Sequence, residues 1–193
     1  MQFAKSITKE EMNELPLGAF EGKIKVVENE TDVLKAIAIL KNSEIIGFDT
    51  ETRPSFKKGR INKVALLQLS NSDQAFLFRL NGNGLHKSIA DLLADKSVVK
   101  VGVAIRDDLK ALKVLKKFEA QSFIELQDFV KEFDIQNFSL QKLAAIVLGF
   151  RISKSKRLSN WEAETLGHGQ LKYAATDAWA SLEVYKKLLS AQI

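Results

Sequence analysis

The segment EIIGFDTE, Glu44 to Glu51, constrains the fold of this chain more than any other stretch. Its apolar residues form a short continuous run, which is typical of a central strand covered on both faces. Asp49 and Glu51 are two positions apart, so on a strand both carboxylates point to the same side. Two such carboxylates raise each other's pKa unless a cation lies between them. From this segment alone, a cation site and two solvated acids at a strand end are both open.

Strand patterns alternate with helix patterns along the chain, which predicts an α/β fold. We expect a mixed, mostly parallel central sheet of about five strands, flanked by helices. VALLQL and AFLFRL, joined by the polar turn SNSD, should form an antiparallel hairpin beside the central strand. Thr8 and Glu11 have capping-box spacing in an N-terminal arm, and Thr31 is a candidate cap for the first long helix. We expect an arm over residues 1–23 and one domain over residues 24–193.

The composition limits the chemistry. The 193 residues include no Cys and two His, so a metal site here would use oxygen ligands. The absence of Cys fits a reducing compartment. A net charge of +5, with clustered basic residues, favours a polyanionic partner. The longest apolar stretch, residues 143–150, is far below the ~20 residues that span a bilayer. With no signal-peptide pattern either, we expect a cytoplasmic protein without membrane association.

Two further acids stand out. In VGVAIRDDLKAL, helical spacing places Asp108 on the apolar stripe and Asp107 on a more exposed side. Acids in a first helical turn also suit the helix dipole, which is a purely structural explanation. Tyr173 and Asp177 are four apart on the final helix and share a face. A weak surface hydrogen bond would account for that pair as well.

Together, four acids from three separate elements predict a metal site. Oxygen ligands from few protein groups suit Mg²⁺ or Mn²⁺, which keep waters and share substrate phosphate oxygens. Two such ions, about 4 Å apart, can activate a water and stabilise the leaving oxygen of a phosphodiester. The acids and the basic loops therefore predict metal-dependent phosphodiester hydrolysis.

Three motifs carry a resemblance to a known family. DTE at Asp49, VGVAIRDDLKAL around Asp108 and YAATD ending at Asp177 resemble the exonuclease motifs of the DEDDy-type 3′–5′ exonucleases. The flanking segments RINKVALLQLS and LSNWEAETLGHGQLKYAATDAWA extend the match. Within the family, the pattern is most similar to the exonuclease domain of the Werner syndrome protein, with RNase D more distant. The resemblance implies an RNase H-like fold and release of nucleoside 5′-monophosphates from nucleic-acid 3′ ends.

The same resemblance implies a role for each motif residue. Asp49, Glu51 and Asp177 would hold the tighter of two metal ions. Asp49 would also contact the second ion, which Asp108 would support through water. Tyr173 would orient or help deprotonate the attacking water. Relatives often carry an Arg-Pro-Leu-type segment before the last helix, where this chain has ETLGH over residues 164–168, and we expect His168 in a loop.

Substrate contacts are expected from two basic clusters and one aromatic residue. Ordinary solvated charge explains each lysine equally well, and the aromatic residue suits either base stacking or packing. The candidates are Arg53, Phe56, Lys57, Lys58, Arg60, Lys154, Lys156 and Arg157. Trp161 and Trp179 are expected to be packing residues.

Two other functions stay open at this point. One is a nucleic-acid-binding or adaptor domain that keeps the fold without catalysis, and the other is an RNase H-like endonuclease. The residues are compatible with DNA or RNA, and with single strands or recessed 3′ ends.

Overall fold

The computed structural model describes residues 2–55, 62–82 and 84–192. The strands are β1 (Lys23–Val27), β2 (Ile45–Thr52), β3 (Val64–Ser70), β4 (Gln74–Arg79), β5 (Val99–Gly102) and β6 (Phe123–Glu125). The helices are α1 (Lys9–Glu14), α2 (Glu30–Lys41), α3 (Lys87–Leu93), α4 (Ile105–Leu115), α5 (Leu126–Phe129), α6 (Leu140–Leu143) and α7 (His168–Ala191). A 3₁₀ turn, Val130–Phe133, continues α5, and a π-helical turn, Ala144–Leu148, continues α6.

The strands form one sheet in the order β1-β4-β3-β2-β5-β6. β3 runs antiparallel to both of its neighbours, and the other three pairings are parallel. The predicted α/β fold, with a mostly parallel sheet and an antiparallel hairpin, is confirmed. The expected strand number is one too low, because β1 pairs with β4 in parallel register and extends the sheet.

β2 lies inside the sheet because its residues suit burial on both faces. Ile46 and Phe48 are fully buried in the largest core cluster. On the opposite face, a Cβ atom at Gly47 would lie 1.9 Å from the carbonyl oxygen of Ala178. Glycine therefore allows the backbone of α7 to lie directly against β2, and this contact fixes where Asp177 sits over the sheet.

Helix starts follow local hydrogen bonds. The predicted capping box of α1 is present, since the Thr8 hydroxyl accepts from the Glu11 amide and the Glu11 carboxylate accepts from the Thr8 amide. The prediction of Thr31 as the cap of α2 is wrong. Asn29 caps that helix, because its Oδ1 atom accepts from the Asp32 amide at 2.9 Å and lets the helix begin at Glu30.

The segment before β1 lies against the connection that precedes α7. The Arg151 amide donates to the Pro16 carbonyl, and the Gly18 amide donates to the Arg151 carbonyl, both at 2.9 Å. The Phe20 amide donates to the Thr176 hydroxyl at 3.1 Å. The arm thus contacts the helix turn that carries Asp177. Among the described helices, none combines the length and the apolar character that a bilayer span requires.

Candidate active site

Three carboxylates meet where β2 emerges from beneath α7. Asp49 and Glu51 project from the same face of β2, and α7 brings Asp177 against them. One oxygen from each of the three lies within 4.8 Å of the others. Asp177 is 5% exposed, and its Oδ1 atom has no hydrogen-bond partner among the described residues. The fold therefore concentrates negative charge in a poorly hydrated place.

Burial and mutual repulsion disfavour the ionised forms of these acids. Burial, followed by the charges of Asp177 and Glu51, raises the pKa of Asp49 well above its ordinary value. Burial, with the nearby charges of Asp177 and Asp108, raises the pKa of Glu51 to about 9. Burial raises the pKa of Asp177 to about 7. A cation among these oxygens would favour the ionised forms, as the opposite charge compensates both effects.

The raised pKa values predict that the metal-free protein loses stability as pH rises. Asp177 and Glu51 start from ordinary values of 3.8 and 4.5, so between pH 5 and 7.5 the folded state holds more protons than the unfolded state. The free energy of unfolding should therefore fall across this range in EDTA. Urea unfolding at several pH values measures it, and Glu51→Gln should flatten the slope. A free energy of unfolding that rises with pH across this range would contradict the raised pKa values. The range stops at pH 7.5 because Lys100, whose pKa burial lowers to about 8, acts in the opposite direction above it.

Asp108 lies beside the cluster but faces a different partner. The hydroxyl of Thr50, which points from β2 toward α4, donates to Asp108 Oδ1 at 2.5 Å. Burial raises the pKa of Asp108 to about 6, although the Thr50 hydrogen bond opposes the shift. Asp107 is instead 91% exposed and bonds to Lys110 at 2.8 Å. Helical spacing predicts that Asp108 is the more buried acid and Asp107 the exposed one. No local sequence pattern predicts the hydrogen bond from Thr50.

Glu125 is a second residue that the sequence interpretation missed. Its carboxylate oxygens accept hydrogen bonds from the amides of Ala104 and Ile105, each at 2.8 Å. Ala104 is the residue before α4 and has a left-handed φ of 58°. A carboxylate from β6 therefore caps the helix that carries Asp108, where the helix dipole favours negative charge. Because the capping carboxylate of Glu125 lies on β6, about 20 residues after the start of α4, no local sequence motif predicts this cap.

Tyr173 sits one helical turn before Asp177. It is 7% exposed and packs beside the buried Trp161, with ring centroids 6.0 Å apart. Burial, with the charges of Asp177 and Glu51, raises the pKa of Tyr173 well above its ordinary value. Its hydroxyl therefore stays protonated at neutral pH and acts as a hydrogen-bond donor.

The predicted substrate residues fall into three groups. Arg157 is exposed and close enough to Glu51 that its charge opposes the rise in the Glu51 pKa. Arg53 pairs with Glu162 at 3.2 Å, and the side chain of Lys156 lies over Gly169, while Lys154 is exposed. The remaining candidates, Phe56, Lys57, Lys58 and Arg60, lie outside the described residues.

The structure also tests the predictions for His168 and for the two tryptophans. The loop expected at His168 is wrong, because α7 begins there, and the residue is exposed. Trp161 is fully buried, and Trp179 stacks on Phe150 at 5.8 Å. Both tryptophans are packing residues, as expected.

The carboxylate cluster fits a divalent cation. All of its ligand atoms are carboxylate oxygens. Mg²⁺ and Mn²⁺ prefer oxygen ligands, whereas softer metals prefer sulfur or nitrogen ligands. The Asp177 carboxylate is buried with one oxygen unpaired among the described residues, and a cation bound to this carboxylate would offset the free-energy cost of its burial.

Comparisons with known proteins show the family and the fold of this chain. A family model described as 3′-5′ exonuclease matches residues 24–191. The chain is 37% identical over 157 residues to the mouse bifunctional 3′-5′ exonuclease/ATP-dependent helicase WRN, a match that spans 77% of this chain and 11% of the mouse protein. The EXO domain of Aedes aegypti Nibbler superposes with a TM-score of 0.79 at 24% identity, over 91% of this chain and 94% of that domain. Trypanosoma brucei RNase D, solved in complex with RNA U12, gives a TM-score of 0.77 at 20% identity, over 88% and 63%.

Proposed function

This chain belongs to the 3′–5′ exonuclease family, and from that premise we propose that it hydrolyses phosphodiesters at nucleic-acid 3′ ends. The products would be nucleoside 5′-monophosphates, and residues 24–193 would carry the activity. The observation that supports this most strongly is the set of three carboxylates whose oxygens lie within 4.8 Å of one another. A domain that only binds nucleic acid has no use for acids held together against their own repulsion.

The cluster residues would hold Mg²⁺ or Mn²⁺. Asp49, Glu51 and Asp177 would bind one ion, and Asp49 with Asp108 would serve a second. When bound, such ions lower the pKa of a coordinated water and stabilise charge on the departing oxygen. The chain's own contribution is to orient the four acids through β2, α4 and α7, and to keep bulk water from Asp177, which is 5% exposed.

Tyr173 would orient the attacking water and would not deprotonate it. Its hydroxyl lies within reach of Asp177 and stays protonated, because burial raises its pKa. It can therefore donate to one carboxylate and accept from water, which fixes the direction of a water lone pair.

Replacing Tyr173 by Phe should slow turnover about 100-fold, because the attacking water loses its orientation, while changing substrate affinity little. The ring would still pack against Trp161, so the fold should persist. Steady-state kinetics that separate kcat from KM measure the effect, with thermal melting as the check on folding. An unchanged kcat would remove Tyr173 from the mechanism.

Arg157 would contact a phosphate of the bound strand. It is exposed, and its charge acts on Glu51, so a strand that reaches the carboxylates would pass near it. Lys154 and Lys156 on the same connection would extend this contact. The strand would be DNA or RNA with a single-stranded or recessed 3′ end.

Arg157→Gln should weaken nucleic-acid binding and lower the salt slope of log K by about 1, with kcat nearly unchanged. Binding measured in EDTA at several salt concentrations gives the slope. Lys187→Gln is the matched control, since this exposed residue lies about 21 Å farther along α7 from Tyr173. Equal slopes for both variants would exclude Arg157 from phosphate contact.

Two assays separate the proposed activity from its competitors. A linear and a circular single strand of the same sequence are incubated with the protein and Mn²⁺, and the products are identified by chromatography. We expect nucleoside 5′-monophosphates from the linear strand and an intact circle. Cleavage of the circle would indicate an endonuclease, and binding without any release would indicate an inactive nucleic-acid-binding domain.

A further inference from the structure

Gln68 lies beside the carboxylate cluster, and none of the roles above uses it. In the sheet it is the register partner of Asp49, one strand away on β3. Paired residues of an antiparallel ladder project from the same face, so the Gln68 side chain lies on the face that α7 covers. It is fully buried, at 0% exposure. Neither its amide nitrogen nor its amide oxygen has a hydrogen-bond partner among the described residues.

An unpaired amide at such a place needs an explanation other than packing. A buried polar atom without a partner costs on the order of 1–3 kcal/mol, and an apolar residue of similar size avoids that cost. The flanking residues on β3, Leu67 and Leu69, follow the apolar rule for a covered strand. Stability alone would therefore favour an apolar side chain at position 68.

The cluster lacks what a neutral amide can supply. Asp177 Oδ1 is itself buried without a partner. Carboxylates that bind a cation through one oxygen are oriented by hydrogen bonds to the other, and such outer contacts tune the affinity of the site. A lysine beneath the acids would compete with the cation. A side-chain amide offers two N–H donors without adding charge.

We propose that Gln68 is a positioning residue for the metal-binding carboxylates. Its side-chain NH₂ donates to one oxygen each of Asp49 and Asp177 when the cluster holds a cation, and thereby holds their other oxygens toward the cation. This inference rests on the proposed function, since it assigns an outer contact to the same metal site.

Ser70 offers a matched control. It lies two residues along β3 on the same face, is 0% exposed, and its hydroxyl has no partner among the described residues. Its register partner is Gly47, which carries no side chain to orient. Removing the Ser70 hydroxyl therefore reports the general effect of deleting a buried polar group beneath α7.

The test measures Mn²⁺ affinity by calorimetric titration in the absence of nucleic acid, for the full chain and three variants. Gln68→Met, an apolar side chain of similar length, should bind Mn²⁺ about 10- to 100-fold more weakly. Its melting temperature in EDTA should equal or exceed that of the unmodified chain. Ser70→Ala should bind within about twofold of the unmodified chain, whereas Asp49→Asn should lose most of the affinity.

Several results would overturn the proposal. Equal Mn²⁺ affinity in Gln68→Met and the unmodified chain would exclude Gln68 alone and leave the proposed function standing. Equal losses of Mn²⁺ affinity in Gln68→Met and Ser70→Ala would indicate a general effect of deleting a buried polar group beneath α7. No Mn²⁺ binding by the unmodified chain would instead overturn the metal site itself. If Gln68→Met does not fold, Gln68→Asn replaces it, because this amide is one methylene short of the carboxylates: weaker binding supports the proposal and unchanged binding overturns it.

Discussion

Asp49→Asn is expected to lose on the order of 10³-fold or more of the nuclease rate and to melt at a higher temperature than the unmodified chain in EDTA. The rate falls because the substitution removes a ligand that both metal ions would share. The melting temperature rises because desolvation, followed by the like charges of Asp177 and Glu51, raises the pKa of Asp49 and disfavours its ionised form. Relief of about 1 kcal/mol would raise Tm by roughly 2–4 °C in a chain of this size.

Initial rates with Mn²⁺ and thermal melts in EDTA measure the two effects on one preparation. The rate should fall while the melting temperature rises. Replacing a residue that is needed for folding would instead lower both quantities. An active Asp49→Asn variant, or one that fails to fold, would contradict the assignment of Asp49 as a metal ligand.

We expect the neighbouring acids Asp108 and Asp107 to differ strongly in their effect on the nuclease rate. Asp108→Asn should lose about 10- to 100-fold of the rate, in line with a group that supports a metal through an outer contact. Asp107→Asn should retain the full rate, because its side chain is 91% exposed and pairs with Lys110 on the surface of α4. Both variants remove one negative charge from the first turn of α4, so any effect of the helix dipole is the same in each.

Steady-state rates at saturating Mn²⁺ for the two variants, prepared in parallel, decide between them. Equal losses would indicate that the charge of the first turn matters more than its position. A larger loss of rate in Asp107→Asn would reverse the roles proposed for the two acids.

Local patterns were enough to predict the parts of the site that lie on regular elements. The apolar run before Asp49 predicts β2, and the spacing of Tyr173 and Asp177 predicts their common helix face. The helical stripe likewise separates Asp108 from Asp107. Each of these rests on side-chain periodicity within one element, which the sequence displays directly.

The missed features depend on pairing between elements that are distant in sequence. Glu125 caps α4 from β6, and Gln68 lies beside Asp49 through the register of β3 on β2. Thr50 reaches Asp108 because β2 and α4 face each other. The sixth strand belongs to the same class, because β1 joins the sheet through β4. A single sequence shows strand patterns but does not specify the registers that bring such groups together.

We propose that the clustered carboxylates support metal-dependent degradation of nucleic acid from the 3′ end. The most direct test incubates one 5′-labelled oligonucleotide, as DNA and as RNA, with the protein and Mg²⁺, Mn²⁺ or EDTA, beside the Asp49→Asn variant. We expect a ladder that shortens from the 3′ end with a divalent metal, and intact oligonucleotide with EDTA or with the variant. Intact oligonucleotide in every lane, or the same ladder in EDTA, would contradict the claim.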